Sequence, residues 1–314
     1  MGVNGLSGEH EKNLHIPVLA EEVVEGLGCR PGGVYVDCTV GYGGHAALIL
    51  ERSAPDGQLV GMDQDEAALR AAGERLRPYA GRVRLVRGNF QELKQQLRSM
   101  GVAEVDGVMF DLGVSSAQLD ELTRGFSFLT DGPLDMRMDQ RASLTAASLV
   151  NDLPEQELAD LIYRYGEERY SRRIAWAIVH ARAIRPLTRT LELADVVRGS
   201  VPPPYRHGRI HCATRTFQAL RIAVNRELDV LEGALKDAVD VLAPGGRLCV
   251  TSFHSLEDRI AKQTFRALSR GEAPCLSVLT KRPIVASDEE RAGNPRARSA
   301  KLRVAERLTV GRVA

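Results

Sequence analysis

The stretch Val36-Asp-Cys-Thr-Val-Gly41-Tyr-Gly43-Gly44-His45 runs from a β-branched segment into a glycine-rich turn and on toward a helical segment at Ala46 to Arg52. Val34 to Val40 reads as a short strand, since β-branched side chains suit a pleated surface. Gly41, Gly43 and Gly44 let the backbone turn tightly and approach a ligand closely. Further on, Gln58-Leu-Val-Gly-Met62 reads as a second strand closed by Asp63, where an acid can accept both hydroxyls of a ribose. The simpler reading is that the glycines only turn the chain. Asp37, Asp63 and a third strand ending in Gly88-Asn89-Phe90 argue instead for a nucleoside site at the carboxyl ends of the strands.

The glycine spacing departs from the dinucleotide pattern G-x-G-x-x-G, because the sixth residue from Gly41 is Ala46. S-adenosylmethionine has no pyrophosphate and needs no helix aimed at one, so the features together point to it rather than to a nicotinamide dinucleotide. Asp37 would help fix the methionyl amine through the loop or a water, Asp63 would take the ribose, and Asn89-Phe90 would lie beside the adenine.

Outward from this loop, strands and helices alternate. Helical patterns at Glu66 to Leu76 and Phe90 to Met100 separate strands at Gln58 to Met62, Val83 to Val86 and Val105 to Phe110. Such interleaving implies βαβ units and a parallel sheet. From Ser116 to about His211 no strand pattern appears, and Glu155 to Tyr165 and Arg172 to Ala183 read as helices. One long helix over Phe217 to Leu242, a turn at Pro244-Gly-Gly246, a strand at Arg247 to Phe253, a helix at Leu256 to Leu268 and a closing strand at Lys301 to Arg307 follow. The expected organisation is a flexible N-terminus at 1–12, an α/β domain from 13–115 and 214–314, and an inserted helical substrate-recognition domain at 116–213.

Composition bounds the function. The chain has 314 residues, 44% hydrophobic and 26% charged, an ordinary globular balance. No apolar run approaches the ~18 residues of a membrane span, and the N-terminus has no secretory pattern. The five cysteines are scattered without a C-x-x-C pair, which argues against a zinc site and for a reducing cytosol. The net charge of +1 is an average: residues 1–163 carry −11, 164–226 carry +9, 227–280 carry −2 and 281–314 carry +5. A uniformly basic RNA-coating protein is excluded, but an anionic partner at the basic segments is not.

Five motifs resemble one family: His15-Ile-Pro-Val-Leu19, Asp37-x-Thr39-x-Gly41-x-Gly43-Gly44-His45, Asp111-Leu-Gly-Val-Ser-Ser116-x-Gln118, Gly132-Pro-Leu-Asp-Met-Arg137 and Ser252-Phe-His-Ser-Leu-Glu-Asp258. Thr214 to Asn225 and Asn294 to Arg303 extend the match, which covers about residues 13 to 308. The pattern is similar to the ribosomal RNA small subunit methyltransferase H family. The resemblance implies a Rossmann-like class I S-adenosylmethionine-dependent methyltransferase sheet with an inserted all-helical domain. It also implies methylation of N4 of a cytidine in the decoding centre of 16S rRNA, in the bacterial cytoplasm. Carried onto this chain, it implies cofactor contacts from Gly43, Gly44, His45, Asp63, Phe90, Asp111 and Gln118. The Pro-Pro-aromatic segment common after strand four of amino methyltransferases is absent here.

The N4 amine of cytosine is a weak nucleophile and the sulfonium a strong electrophile, so the enzyme's work is alignment plus a proton acceptor. Asp111 is the candidate to orient the N–H, with cofactor binding as its alternative role; no metal is required. A base within folded RNA must be splayed out into a pocket, and the insertion is placed to wall it. His254 either meets the base or holds its loop, and His15 either covers the cofactor or packs on the sheet. Arg164, Arg169, Arg172 and Arg173 either meet phosphates or line a solvated face. The Asn294 to Arg303 loop, with Ser299 and Lys301, suits phosphate contacts. Trp176 and Tyr163 read as core. A non-catalytic ribosome assembly factor and a nicotinamide oxidoreductase are the competing classes; the glycine spacing counts against the second.

Overall fold

The computed structural model describes residues 17–115, 118–119 and 121–309. The expected flexible segment 1–12, His15 and Ser116 lie outside the described residues. The chain divides into two compact units, one of residues 17–63, 67–112 and 236–309, the other of residues 64–66 and 113–235.

The first unit is built on a seven-stranded sheet in the order β3-β2-β1-β4-β5-β7-β6. The strands are β1 Val34–Asp37, β2 Gln58–Asp63, β3 Val83–Arg87, β4 Val105–Asp111, β5 Leu242–Ser252, β6 Leu276–Val278 and β7 Lys301–Arg307. Strands β1 to β5 pair in parallel, and β7 runs antiparallel to both β5 and β6. This is a Rossmann-like sheet, parallel through β1 to β5, as the sequence implies. Central strands covered on both faces read as continuous apolar runs. In β4, Val108, Met109 and Phe110 are all fully buried. Helix Ala20–Leu27 turns Val23, Val24 and Leu27 inward onto the sheet, where they join Tyr35, Met109, Leu302 and Val304 in one core.

The strand order reverses between β1 and β4. In doubly wound folds such a switch point opens a crevice outside the carboxyl ends of the strands, where ligands bind. Asp37 ends β1, Asp63 ends β2 and Asp111 ends β4, so all three acids come to this edge. Register fixes the placement: Asp37 lies opposite Gly61 and Met109, and Asp111 lies opposite Thr251.

The second unit is helical. Helices Ala146–Asp152, Glu155–Gly166, Ser171–Ile184, Thr190–Ser200 and Thr214–Asn225 close around Leu158, Ile162, Ile174, Ile178, Leu193, Val197, Phe217 and Leu220. Thr145 caps the first of these in a reciprocal capping box with Ser148. Among the described residues of this unit there is no strand, only an isolated bridge between Pro133 and Arg189.

Two features differ from the sequence expectation. The single helix expected over Phe217 to Leu242 is two helices, Thr214–Asn225 and Glu227–Val241, because Arg226 takes a left-handed conformation with φ 52°. The boundary expected after residue 213 falls at 235 instead. Helix Thr214–Asn225 buries Phe217, Leu220 and Val224 against its helical neighbours, so it belongs to their core.

Candidate functional site

The loop after β1 is locked from both sides. The Cys38 N–H donates to the Met109 carbonyl at 3.0 Å and the Val40 N–H to the Met62 carbonyl at 2.9 Å, extending both ladders beyond the strand. Gly41 and Gly43 take φ of +51° and +76°, a region open to glycine and strained for other residues. The Gly41 N–H donates to Asp63 Oδ2 at 3.0 Å, so the acid ending β2 supports the turn ending β1. The Thr39 N–H donates to Asp37 Oδ1 at 3.0 Å, and Thr39 Oγ1 accepts from the Asp111 N–H at 2.6 Å. The ends of β1, β2 and β4 thus form one hydrogen-bonded rim.

This rim is acidic, with Asp37 and His45 buried and Asp63 and Asp111 half-buried. Burial pushes the Asp37 carboxyl up to about 7, against the pull of His45 and the Thr39 N–H. Burial likewise pushes Asp111 up to about 7, with the nearby Glu257 charge adding to the rise. His45 is buried, its Nε2 lies 2.9 Å from the Val18 carbonyl, and burial lowers its pKa. Nε2 therefore carries the proton of a neutral ring, and Nδ1 sits 3.7 Å from Asp111 Oδ2, beyond hydrogen-bond reach. Asp111 Oδ1 is occluded and has no hydrogen-bond partner among the described residues. An occluded acceptor without a donor is costly unless a ligand supplies one. A donor group bearing positive charge, beside glycines that leave the backbone open, is what this rim fits, and S-adenosylmethionine is such a group.

The other expected site residues take these places. Phe90 opens a short 3-10 turn just beyond β3 and stacks edge-on against Phe110, with ring centroids 5.6 Å apart. Gly44 begins helix Gly44–Arg52. Gln118 lies in the helical unit, where its carboxamide is engaged at both ends: the oxygen accepts from the Ser115 N–H at 3.1 Å and the nitrogen donates to Asp65 at 2.9 Å. Asp65 also pairs with Arg124 Nη1 at 2.8 Å in a buried ion pair.

His254 resolves toward a holding role. It caps helix Ser255–Leu268 in a reciprocal box with Glu257, whose Oε2 accepts from the Phe253 N–H at 2.8 Å. Glu257 itself, buried and acting on Asp111, is the residue the sequence reading passed over. Its position three after His254 is the spacing of a capping box and was the available signal. The Asn294 to Arg303 loop is largely occupied internally: Lys301 and Arg303 both pair with Asp258, and Asn294 caps the turn Pro295–Arg298. Trp176 and Tyr163 are not core. They are 54% and 64% exposed, each on the outer face of its helix.

The match to known proteins spans this whole architecture. The MraW methylase family model covers residues 12–308. The chain belongs to the MraW methylase family. Like the rest of that family, it is an S-adenosylmethionine-dependent methyltransferase. The chain is 56% identical over 307 residues to the ribosomal RNA small subunit methyltransferase H of Geobacter sulfurreducens, covering 94% of this chain and 99% of that one. It is 52% identical over 310 residues to the protein of the same name from Symbiobacterium thermophilum, covering 95% and 98%. Solved structures resemble it distantly. An rRNA methylase from Streptococcus thermophilus is 12% identical with a TM-score of 0.43, covering 92% of this chain and 94% of that one. Among the described residues no helix is long and apolar enough to cross a membrane.

Proposed function

We propose that the chain methylates small-subunit ribosomal RNA, transferring a methyl group to the N4 exocyclic amine of a cytidine in the decoding centre (P-site) of 16S rRNA in the bacterial cytoplasm. Family membership and the names of relatives more than half identical support the RNA substrate. The cytidine and its N4 atom rest on the motif resemblance. The observation that carries the chemistry is Asp111, whose Oδ1 at the end of β4 has no donor among the described residues.

When bound, S-adenosylmethionine supplies the electrophilic methyl group. Gly41, Gly43 and Gly44 would leave the backbone open beside it, Asp63 would accept from the ribose, and Phe90 would lie against the adenine. Asp111 either orients the amine N–H or holds the methionyl ammonium; in the first role its carboxylate also receives the proton that the methylated nitrogen sheds. Amine, methyl and sulfur must lie in line, which is a positioning task for the rim.

The test is incubation with radiolabelled S-adenosylmethionine and small subunits lacking the mark, followed by nuclease digestion and mass mapping. Label on N4 of a single cytidine is expected. Cofactor binding without transfer would leave the assembly-factor reading instead.

A further inference from the structure

Helix Ser171–Ile184 buries Ile174, Ala175 and Ile178 and turns a second stripe outward. That stripe holds Arg172, Arg173, Trp176, His180 and Ile184, at the three- and four-residue spacings that make helix neighbours. Trp176 is 54% exposed and Ile184 is 90% exposed, unusual for side chains of this size. The Trp176 and His180 ring centroids lie 3.8 Å apart with the planes tilted by 34°, and His180 Nδ1 is 2.8 Å from the Trp176 carbonyl. The indole is therefore held in place with an exposed surface.

The charge around it is not neutralised. Elsewhere in the helical unit, several exposed arginines have acids: Arg185 with Glu192, Arg189 with Asp131, Arg198 with Asp195. Arg164 lies over the Tyr165 ring and Arg169 over the Tyr170 and Tyr205 rings, while Arg172 and Arg173 are exposed and have no ion pair among the described residues. The helix carries two arginines and no acid in its first turn, where cations are unfavourable for stability. The whole segment 164–226 is +9. Stability does not account for that arrangement, but an anionic partner does.

From this juxtaposition of an exposed, braced indole with Arg172 and Arg173 one turn away, neither in an ion pair among the described residues, we infer that the outer face of helix Ser171–Ile184 is a docking surface for single-stranded RNA, with Trp176 stacking on a base and Arg172 and Arg173 on the flanking phosphates. Stacking on an aromatic face is tolerant of sequence, and arginines contact the backbone beside it. The inference rests on the RNA substrate proposed above and adds the surface that holds it away from the reacting base.

Trp176 is the chain's single tryptophan, so its fluorescence reports on this surface alone. Titration of the full chain with a 16S rRNA transcript should quench that emission, whereas heparin, an anionic polymer without bases, should not. Trp176→Ala should raise KM for RNA roughly tenfold with kcat kept, and Trp176→Phe should restore most of the loss. Arg172→Ala and Arg173→Ala should each lower the salt dependence of binding by about one in log–log slope. Unchanged emission with RNA, together with unchanged KM in Trp176→Ala, overturns the surface while methyl transfer by the wild type leaves the function standing. Quenching by RNA without any methyl transfer supports the surface and overturns the function. An emission shift that follows protein concentration in the absence of RNA points to a second copy of the chain on this face and overturns the inference.

Discussion

The Asp111 N–H donates to Thr39 Oγ1 at 2.6 Å, joining the carboxyl ends of β4 and β1 at the switch point of the sheet. Thr39→Val keeps the shape of the side chain and removes the acceptor. A part-buried N–H left without a partner costs about 1–3 kcal/mol. The variant should therefore unfold at a lower temperature, and its affinity for S-adenosylhomocysteine should fall, because the Asp111 carboxyl is no longer held by its own backbone. Calorimetry on both counts checks this; unchanged affinity would separate Asp111 from the cofactor.

Asp37 and Asp111 each stand near 7 in the fold, against about 3.9 for an aspartate in an unfolded chain. Between those values the folded state binds more protons than the unfolded one, so the unliganded protein should lose stability as pH rises from about 4 through 7. A cationic ligand favours the ionised carboxylates. Its binding should release protons below about pH 7, and its affinity should rise with pH up to that point and then level. Titration calorimetry of S-adenosylmethionine in two buffers of different ionisation enthalpy measures the release. No proton release at pH 6 would contradict a site at these two acids.

Arg124 is 2% exposed and pairs with Asp65 at 2.8 Å, while its Nη2 donates to the carbonyls of Arg137 and Met138. Removing one member of a buried pair strands the other charge, typically at 3–5 kcal/mol. Arg124→Met should lower the unfolding temperature sharply, and adding Asp65→Asn should recover part of the loss. A mild single-variant effect would mean that the pair is open to water in solution.

The sheet was legible because period and punctuation agree along it: short β-branched runs end in Asp37, Asp63 and Asp111, and helical spacing separates them. The acids of the rim were legible for the same reason, since strand ends are visible in sequence. Arg226 was not, because a left-handed residue between two helices of matching amphipathic phase leaves no mark when it is not glycine. Trp176 was misplaced because size and hydrophobicity favour burial, and only the tertiary packing of Ile174 and Ile178 decides which stripe of the helix turns inward. Glu257 was passed over because its effect on Asp111 crosses from the first turn of helix Ser255–Leu268 to the end of β4, a relation that register sets and sequence spacing does not.

That relation gives a prediction of its own. The Glu257 charge helps to raise Asp111, after burial. Glu257→Gln removes the charge but keeps an amide oxygen able to accept from the Phe253 N–H, which Glu257 now does at 2.8 Å. The cap of helix Ser255–Leu268 should survive in part, so the fold should hold. The Asp111 carboxyl should then ionise at lower pH, and the midpoint of the pH dependence of S-adenosylmethionine binding should move down with it. Glu257→Ala serves as the comparison: it removes the charge and the carboxylate half of the capping box together and should lower the unfolding temperature as well as the midpoint. A midpoint unmoved in Glu257→Gln, with the fold intact, would mean that Asp111 is not the group whose ionisation controls binding, and the proton acceptor would have to be sought elsewhere on the rim.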